Sequence, residues 1–162
     1  MRATIMLAVL ALAIAGAGQA NAADTPESVV VEFCAARDST ADVHEALLTP
    51  ALNQLITNAW AKNAEYEKAH PGDKPPLGDG IQFQAYPDWA PICRPGAVSS
   101  GGTDTTVDVE YVFPDTESAD WTDRLVLLAE GDRLLIDDVL YGPEQYDLGL
   151  RAVLQSIIDG KF

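Results

Sequence analysis

The sequence predicts an α+β domain in which helices come first, an antiparallel sheet follows and a last helix closes the chain. Up to about His70, apolar residues recur every three or four positions, which is the spacing of an amphipathic helix. Between Thr105 and Leu140 they alternate with polar residues, which is the spacing of a half-buried strand. Because the helical segments precede the strands, we expect the helices to pack on one face of a strand meander.

The first 22 residues have the layout of a secretory signal peptide. Arg2 precedes a long apolar run, and small residues follow that end in the A-x-A pattern of Ala20, Asn21 and Ala22. An uncleaved membrane anchor is the alternative interpretation of the apolar run. Cleavage after Ala22 would leave one domain, residues 23–162, so we expect a periplasmic or secreted protein with no membrane span after cleavage.

The chain is strongly acidic. Residues 23–162 contain nine of the ten Lys and Arg and all 25 Asp and Glu, a formal net charge of −16 against −15 for the whole chain. Phosphate backbones and anionic membrane surfaces would repel such a protein, so the sequence predicts no nucleic-acid partner. The acidity serves either solubility alone or a docking face for a basic envelope or secreted protein.

Cys34 and Cys93 are the two cysteines of the chain. In an oxidising compartment an even number of cysteines favours pairing, and two buried free thiols are the alternative. A bond between them would close a loop of 60 residues, which stabilises the fold by roughly 4 kcal/mol in the chain-entropy model. Two cysteines do not complete a tetrahedral metal set, so the sequence predicts a structural disulfide and no metal site.

Two threonine–proline pairs predict where helices begin, because threonine caps a helix and proline suits its first position. Thr25-Pro26 starts the segment PESVVVEFCAARD, and Thr49-Pro50 starts a longer helix that should end near His70, before Pro71-Gly72.

Between these two helices the sequence predicts a short third one. Ser39 and Asp42 resemble a capping box, and the helix that they start should run through Leu48.

A loop rich in helix breakers, HPGDKPPLGDG, then leads to an aromatic segment. We expect at most a short strand at 81–86 and another near 96–99. Phe83, Tyr86 and Trp89 lie in this segment. They could form the floor of a ligand pocket or an aromatic lid over the core.

The rest of the chain predicts three strands and a closing helix. The strands are TTVDVEYVF, WTDRLVLLA and RLLIDDVLYG, and a tight turn at Gly131 joins the last two. The segment DLGLRAVLQSIIDG has the apolar spacing of a helix, and Gly160 is its stop signal.

This order of elements, the segment LLTPALNQLI, the loop FQAYPDWAP and the hairpin DRLVLLAEGDRLLIDDVLYG resemble a family of exported bacterial proteins. The family is a domain of unknown function within the nuclear-transport-factor-2-like (cystatin-like) superfamily. The resemblance implies N-terminal helices packed on a curved, cone-like antiparallel sheet, often with a pocket. It implies no activity, because this superfamily includes enzymes, binding modules and scaffolds.

Asp137 and Asp138 stand side by side in an apolar strand. Successive side chains on a strand point to opposite faces, so Asp137 goes with Leu135 and Val139, and Asp138 goes with Ile136 and Leu140. We expect Asp138 to be the inward residue, although the face of Asp137 is nearly as apolar. The two carboxylates are then independent sites and cannot share a proton. We expect structural anchoring from this pair, and Asp138 is also a candidate pocket residue together with Phe83, Tyr86 and Trp89.

The sequence contains no G-x-S-x-G, no Cys–His nucleophile pattern and no EF-hand order, and His44 and His70 lack metal-ligand spacing. It therefore predicts no catalytic residue, cofactor or metal, and it sets no oligomeric state. We expect a non-catalytic interaction or accessory module of the cell envelope, for example an inhibitor or immunity protein. The alternative is a small-molecule-binding protein or enzyme that uses a pocket in the cone, which would need an open cavity lined by polar groups.

Overall fold

The structure, a computed structural model, describes residues 24–37, 45–101, 104–142 and 148–162. The predicted signal peptide lies outside these residues, as do Ser39, Asp42 and His44. The described part of the chain is α+β, with three helices and a four-stranded antiparallel sheet, and a helix closes it as predicted.

The elements follow one another in a simple order. The sheet is a meander whose neighbours in space are neighbours in sequence, and single 3₁₀ turns lie at Glu45–Leu47 and Glu117–Ala119. The bounds are α1 (Pro26–Arg37), α2 (Pro50–Ala69), β1 (Ile92–Gly101), β2 (Asp104–Val112), β3 (Trp121–Glu130), β4 (Arg133–Leu140) and α3 (Leu150–Ile158).

Local capping explains the two N-terminal helix starts, and both predictions are confirmed. The Thr25 hydroxyl accepts a hydrogen bond from the backbone N–H of Ser28 at 3.1 Å. The Thr49 hydroxyl does the same for Leu52 at 3.1 Å. Each bond satisfies one of the N–H groups that the first turn of a helix leaves without an intrahelical partner.

Residues 81–86 form a loop, and the short strand that the sequence allowed there does not form. Their backbone groups bond to side chains of the sheet instead of to a neighbouring strand, as described below. The second predicted strand, near 96–99, is part of the longer β1 (Ile92–Gly101). The predicted tight turn is confirmed, and Gly131 adopts the positive φ of +67° that this turn requires.

The helices and the sheet share a single apolar core. Helix α1 contacts β1, β2 and β4, and helices α2 and α3 contact each other and β4. The largest wholly buried side chains of this core come from every helix and from three strands: Val30, Phe33, Leu52, Leu150, Leu154, Val107, Val109, Tyr111, Leu125, Leu127, Ile136 and Val139.

The predicted disulfide is confirmed. Cys34 in α1 and Cys93 in β1 are bonded, with their Cα atoms 5.7 Å apart and a sequence separation of 59. The bond joins the last turns of α1 to the start of the sheet. No helix in the described ranges is long and apolar enough to cross a membrane.

Candidate functional site

The pair Asp137 and Asp138 lies at a β-bulge. Val126 of β3 is opposite Asp138, while the next residue, Leu127, is opposite Ile136, so Asp137 is an extra residue in β4. Buried Ile136 and Val139 are therefore three positions apart. The expected strict alternation of faces is wrong here, because the bulge shifts the register by one residue.

Asp137 is held by two side chains of the protein. Its Oδ1 accepts hydrogen bonds from the hydroxyl of Thr49 at 2.8 Å and from the guanidinium of Arg151 at 2.9 Å. Thr49 is the cap of α2, and Arg151 lies in the first turn of α3. One carboxylate thus joins the starts of two helices to the edge of β4.

Asp138 caps α3 from outside the helix. Gly149 occupies the cap position and has no side chain to accept a bond, and Asp138 Oδ1 accepts from the backbone N–H of Arg151 at 3.0 Å. A Cβ on Gly149 would lie 2.7 Å from Asp138 Oδ2. Burial raises the pKa of Asp138, and the hydrogen bond from Arg151 opposes this shift. Both carboxylates thus bind Arg151, Asp137 at its guanidinium and Asp138 at its backbone N–H.

Asp138→Ala should lower the free energy of unfolding by about 1–2 kcal/mol, because α3 loses its capping acceptor. Urea unfolding followed by circular dichroism measures the change. Asp115→Ala, in an exposed loop, is the matched control and should change stability by less than about 0.5 kcal/mol. Equal effects of the two substitutions would contradict a capping role.

Sequence reasoning missed a second carboxylate, Asp123, whose side chain is 0% exposed. Its Oδ2 accepts hydrogen bonds from the backbone N–H of Ala85 at 2.9 Å and from the Trp121 indole at 3.3 Å. Its Oδ1 accepts from the backbone N–H of Gly142 at 2.9 Å. The sequence did contain a signal for this residue. The alternation of β3 places Asp123 on the same face as Leu125, which is buried.

Asp123 and Tyr141 hold residues 81–91, hereafter the aromatic loop, against the sheet. Asp123 binds the loop at Ala85, and the Tyr141 hydroxyl donates to the carbonyl of Gln82 at 2.6 Å. Burial raises the pKa of Asp123, and it also raises the pKa of Tyr141. These side chains give loop backbone the partners that a strand would otherwise supply.

The far end of the aromatic loop is fixed by Arg37. Its guanidinium donates to the carbonyl of Ala90 at 3.4 Å. It also lies between two rings, 4.5 Å from the centroid of Trp89 and 5.0 Å from that of Tyr111. The disulfide at Cys93 follows directly. The loop is therefore bound near its start, near its middle and at its end.

Two grooves open beside the aromatic loop and share Tyr86. The first groove, of about 320 Å³, is lined by Phe83, Tyr86 and Trp89 together with Arg37. The structure thus places the three predicted aromatic residues along one groove. Asp138 is not among its lining residues, and it lies instead at the start of α3.

The second groove has a volume of about 420 Å³. It is lined by three aromatic residues, two carboxylates and two small residues: Tyr86, Phe113, Trp121, Asp88, Asp120, Ser118 and Ala119. Tyr86 and Trp89 are 48% and 58% exposed, so the loop presents large aromatic surfaces to solvent. No group of three His, Cys, Asp or Glu in the described residues is placed to hold a metal ion.

No family model matches the chain, and no match was found among curated proteins or solved structures. The resemblance to exported nuclear-transport-factor-2-like proteins therefore stays a prediction. What the geometry defines is an α+β domain with a fixed aromatic loop between two grooves.

Proposed function

We propose that the protein is an exported, non-catalytic interaction module that binds a protein partner through its aromatic loop. The observation that supports this most directly is the exposure of Tyr86 (48%) and Trp89 (58%) on a backbone held by side chains of the sheet and α1. Exposed aromatic residues on an ordered backbone are typical anchors of protein–protein interfaces.

The fixed conformation of the loop favours binding energetically. A loop that is already fixed loses little conformational entropy when a partner binds, so more of the contact energy appears as affinity. The hydrogen bonds of Asp123, Tyr141 and Arg37 supply this order before any partner is present. Within the loop, Gln84 also donates to the carbonyl of Tyr86 at 2.6 Å.

Charge indicates the kind of partner. The whole chain has a formal net charge of −15, and carboxylates line both grooves, Asp79 in the first and Asp88 and Asp120 in the second. A basic envelope or secreted protein would complement this surface, and opposite charges would speed its association. An inhibitor or immunity protein is one form that such a module takes.

The proposal includes export and a cone-like sheet. Export would use residues 1–22 as a signal peptide and leave residues 23–162 as the domain. The disulfide supports this, because disulfides persist in oxidising compartments such as the periplasm. The apolar core on the inward face supports an interaction module, because an enzyme or ligand-binding cone needs an open cavity there.

Small-molecule binding is a second candidate, and one observation favours it. The first groove, at about 320 Å³, lies within the range of roughly 300–1,000 Å³ that is common for ligand pockets. Its lining combines Phe83 and Trp89 with the polar groups of Arg37 and Gln84. A small molecule that co-purifies with the exported protein would favour this candidate over the first.

Affinity capture from an envelope extract tests the proposed function. The protein purified after export should retain a basic partner, and the double variant Tyr86→Ala, Trp89→Ala should lose it. Trp60→Ala is the matched control, since Trp60 on α2 is 41% exposed but lies outside both grooves. Retention should weaken between low and physiological salt, because salt screens exposed charges. Capture that survives the double variant would contradict docking on the loop.

A further inference from the structure

The second groove has walls made of three aromatic rings. The Tyr86 and Trp121 centroids lie 5.4 Å apart with the ring planes at 72°, and those of Phe113 and Trp121 lie 5.9 Å apart at 38°. Because the rings meet at different angles, they form walls of a recess instead of one flat stack. A ligand group in this recess would contact more than one ring.

Trp121 is held rigidly. Its indole N–H donates to buried Asp123, and the ring of Tyr111 stacks on it at 4.5 Å with the planes 16° apart. Trp121 can therefore offer its ring to a ligand without reorganising. A rigid aromatic wall of this kind retains its shape when the groove is filled.

Two carboxylates accompany these rings in the same groove. Asp88 follows Tyr86 on the loop, and Asp120 is positioned by a hydrogen bond from the backbone N–H of Phe113 to its Oδ1 at 2.7 Å. An anion would be repelled here, and a purely apolar group would desolvate the carboxylates without replacing their partners. A cation gains both from the ring faces and from the carboxylates.

The neighbouring aromatic residues already hold a cation in this way. The guanidinium of Arg37 lies 4.5 Å from the Trp89 centroid and 5.0 Å from the Tyr111 centroid. The first groove thus contains a cation from the chain itself. The residues that line the second groove combine aromatic rings with Asp88 and Asp120, and Lys and Arg are not among them.

We propose that the second groove receives the ammonium or guanidinium group of a Lys or Arg side chain from the protein partner. This inference rests on the proposed function and adds the chemistry by which the partner is recognised. The ring faces of Trp121 and Tyr86 would contact the cation, and Asp88 and Asp120 would pair with it.

A tri-lysine peptide with blocked ends is the probe for this site. Its binding is followed by NMR through the indole N–H signals of Trp60, Trp89 and Trp121, assigned with single Trp→Phe variants. We expect a saturable shift of the Trp121 signal and no shift of the Trp60 signal. The same peptide acetylated on its three side-chain amines has lost its positive charges and should produce no saturable shift.

Matched variants separate a local site from diffuse attraction. Tyr86→Ala and Asp88→Asn should each raise the Kd of tri-lysine about fivefold, which is the size of one partly exposed cation–aromatic or charge contact. Asp132→Asn removes the same charge from the exposed turn between β3 and β4 and should raise the Kd less than twofold. Unchanged melting temperatures show that all three variants fold.

Three results would overturn the inference. They are no saturable shift of Trp121, equal binding of the acetylated peptide, or equal effects of Asp88→Asn and Asp132→Asn. If tri-lysine does not bind while partner capture still depends on Tyr86 and Trp89, the proposed interaction module is supported and the proposed cation site is wrong. If tri-lysine binds as expected but the double variant Tyr86→Ala, Trp89→Ala still captures the partner, the cation site is supported and the proposed docking on the loop is wrong.

Discussion

Reduction of the Cys34–Cys93 disulfide is expected to lower the free energy of unfolding by roughly 4 kcal/mol. The bond closes a loop with a sequence separation of 59, and opening it restores conformational freedom mainly to the unfolded chain. Domains of this size have total stabilities of about 5–15 kcal/mol, so the loss is a large share. Urea unfolding with and without reductant measures it.

The double variant Cys34→Ser, Cys93→Ser is the control for this experiment. It should unfold at the lower urea concentration of the reduced protein, and reductant should not shift it further. Labelling provides a direct check, because the unreduced, denatured protein should not react with a thiol reagent. Modification of both cysteines before reduction would rule out the bond in the purified protein.

Asp123→Ala is expected to lower the free energy of unfolding by about 3–5 kcal/mol. The substitution leaves the N–H groups of the half-buried residues Ala85, Gly142 and Trp121 without the wholly buried carboxylate that accepts from them. Each unsatisfied buried group costs about 1–3 kcal/mol, and neighbouring effects are not additive. Urea unfolding measures the loss of stability. This loss should exceed that of Asp138→Ala, because the carboxylate of Asp138 is only half-buried.

The pH dependence of stability identifies the carboxyl group of Asp123 itself. Burial raises its pKa above the ordinary value of 3.8, so the folded chain binds a proton more readily than the unfolded chain. The free energy of unfolding that depends on this group is therefore highest below pH 3.8 and falls as the pH rises through the raised pKa.

Asp123→Asn removes this titration and keeps the size of the side chain. The wild type should therefore become more stable relative to Asp123→Asn as the pH is lowered from neutral towards 3.8. Asp138, whose pKa is also raised, is present in both proteins and cancels from the difference. A difference in stability that does not change with pH would mean that Asp123 has the same pKa in the folded and unfolded chains.

The sequence by itself determined the parts of the fold that depend on neighbouring residues. Thr25-Pro26 and Thr49-Pro50 start α1 and α2 because the capping hydroxyl and the backbone N–H that donates to it are three residues apart. Alternation predicted β2 and β3 for the same local reason. The pairing of Cys34 with Cys93 was also predictable, because the chain offers no other cysteine.

Only the tertiary structure decided the roles of the acidic residues. The bulge at Asp137 depends on how β4 aligns with β3, and the partners of the pair come from Thr49 and Arg151, far away in sequence. The periodicity of neighbouring residues predicts neither the bulge nor these partners. Asp123 was likewise visible as an acidic residue on an apolar face, but its partners at Ala85 and Gly142 belong to segments that meet only in the folded protein.

The aromatic loop shows the same division. The sequence supplied Phe83, Tyr86 and Trp89 as candidate pocket residues and a weak strand signal around them. The fold instead gave the loop backbone hydrogen bonds to Asp123 and Tyr141, so no strand pairing was needed there. A groove is a contact among distant segments, and its lining depends on packing, which no pattern of neighbouring residues specifies.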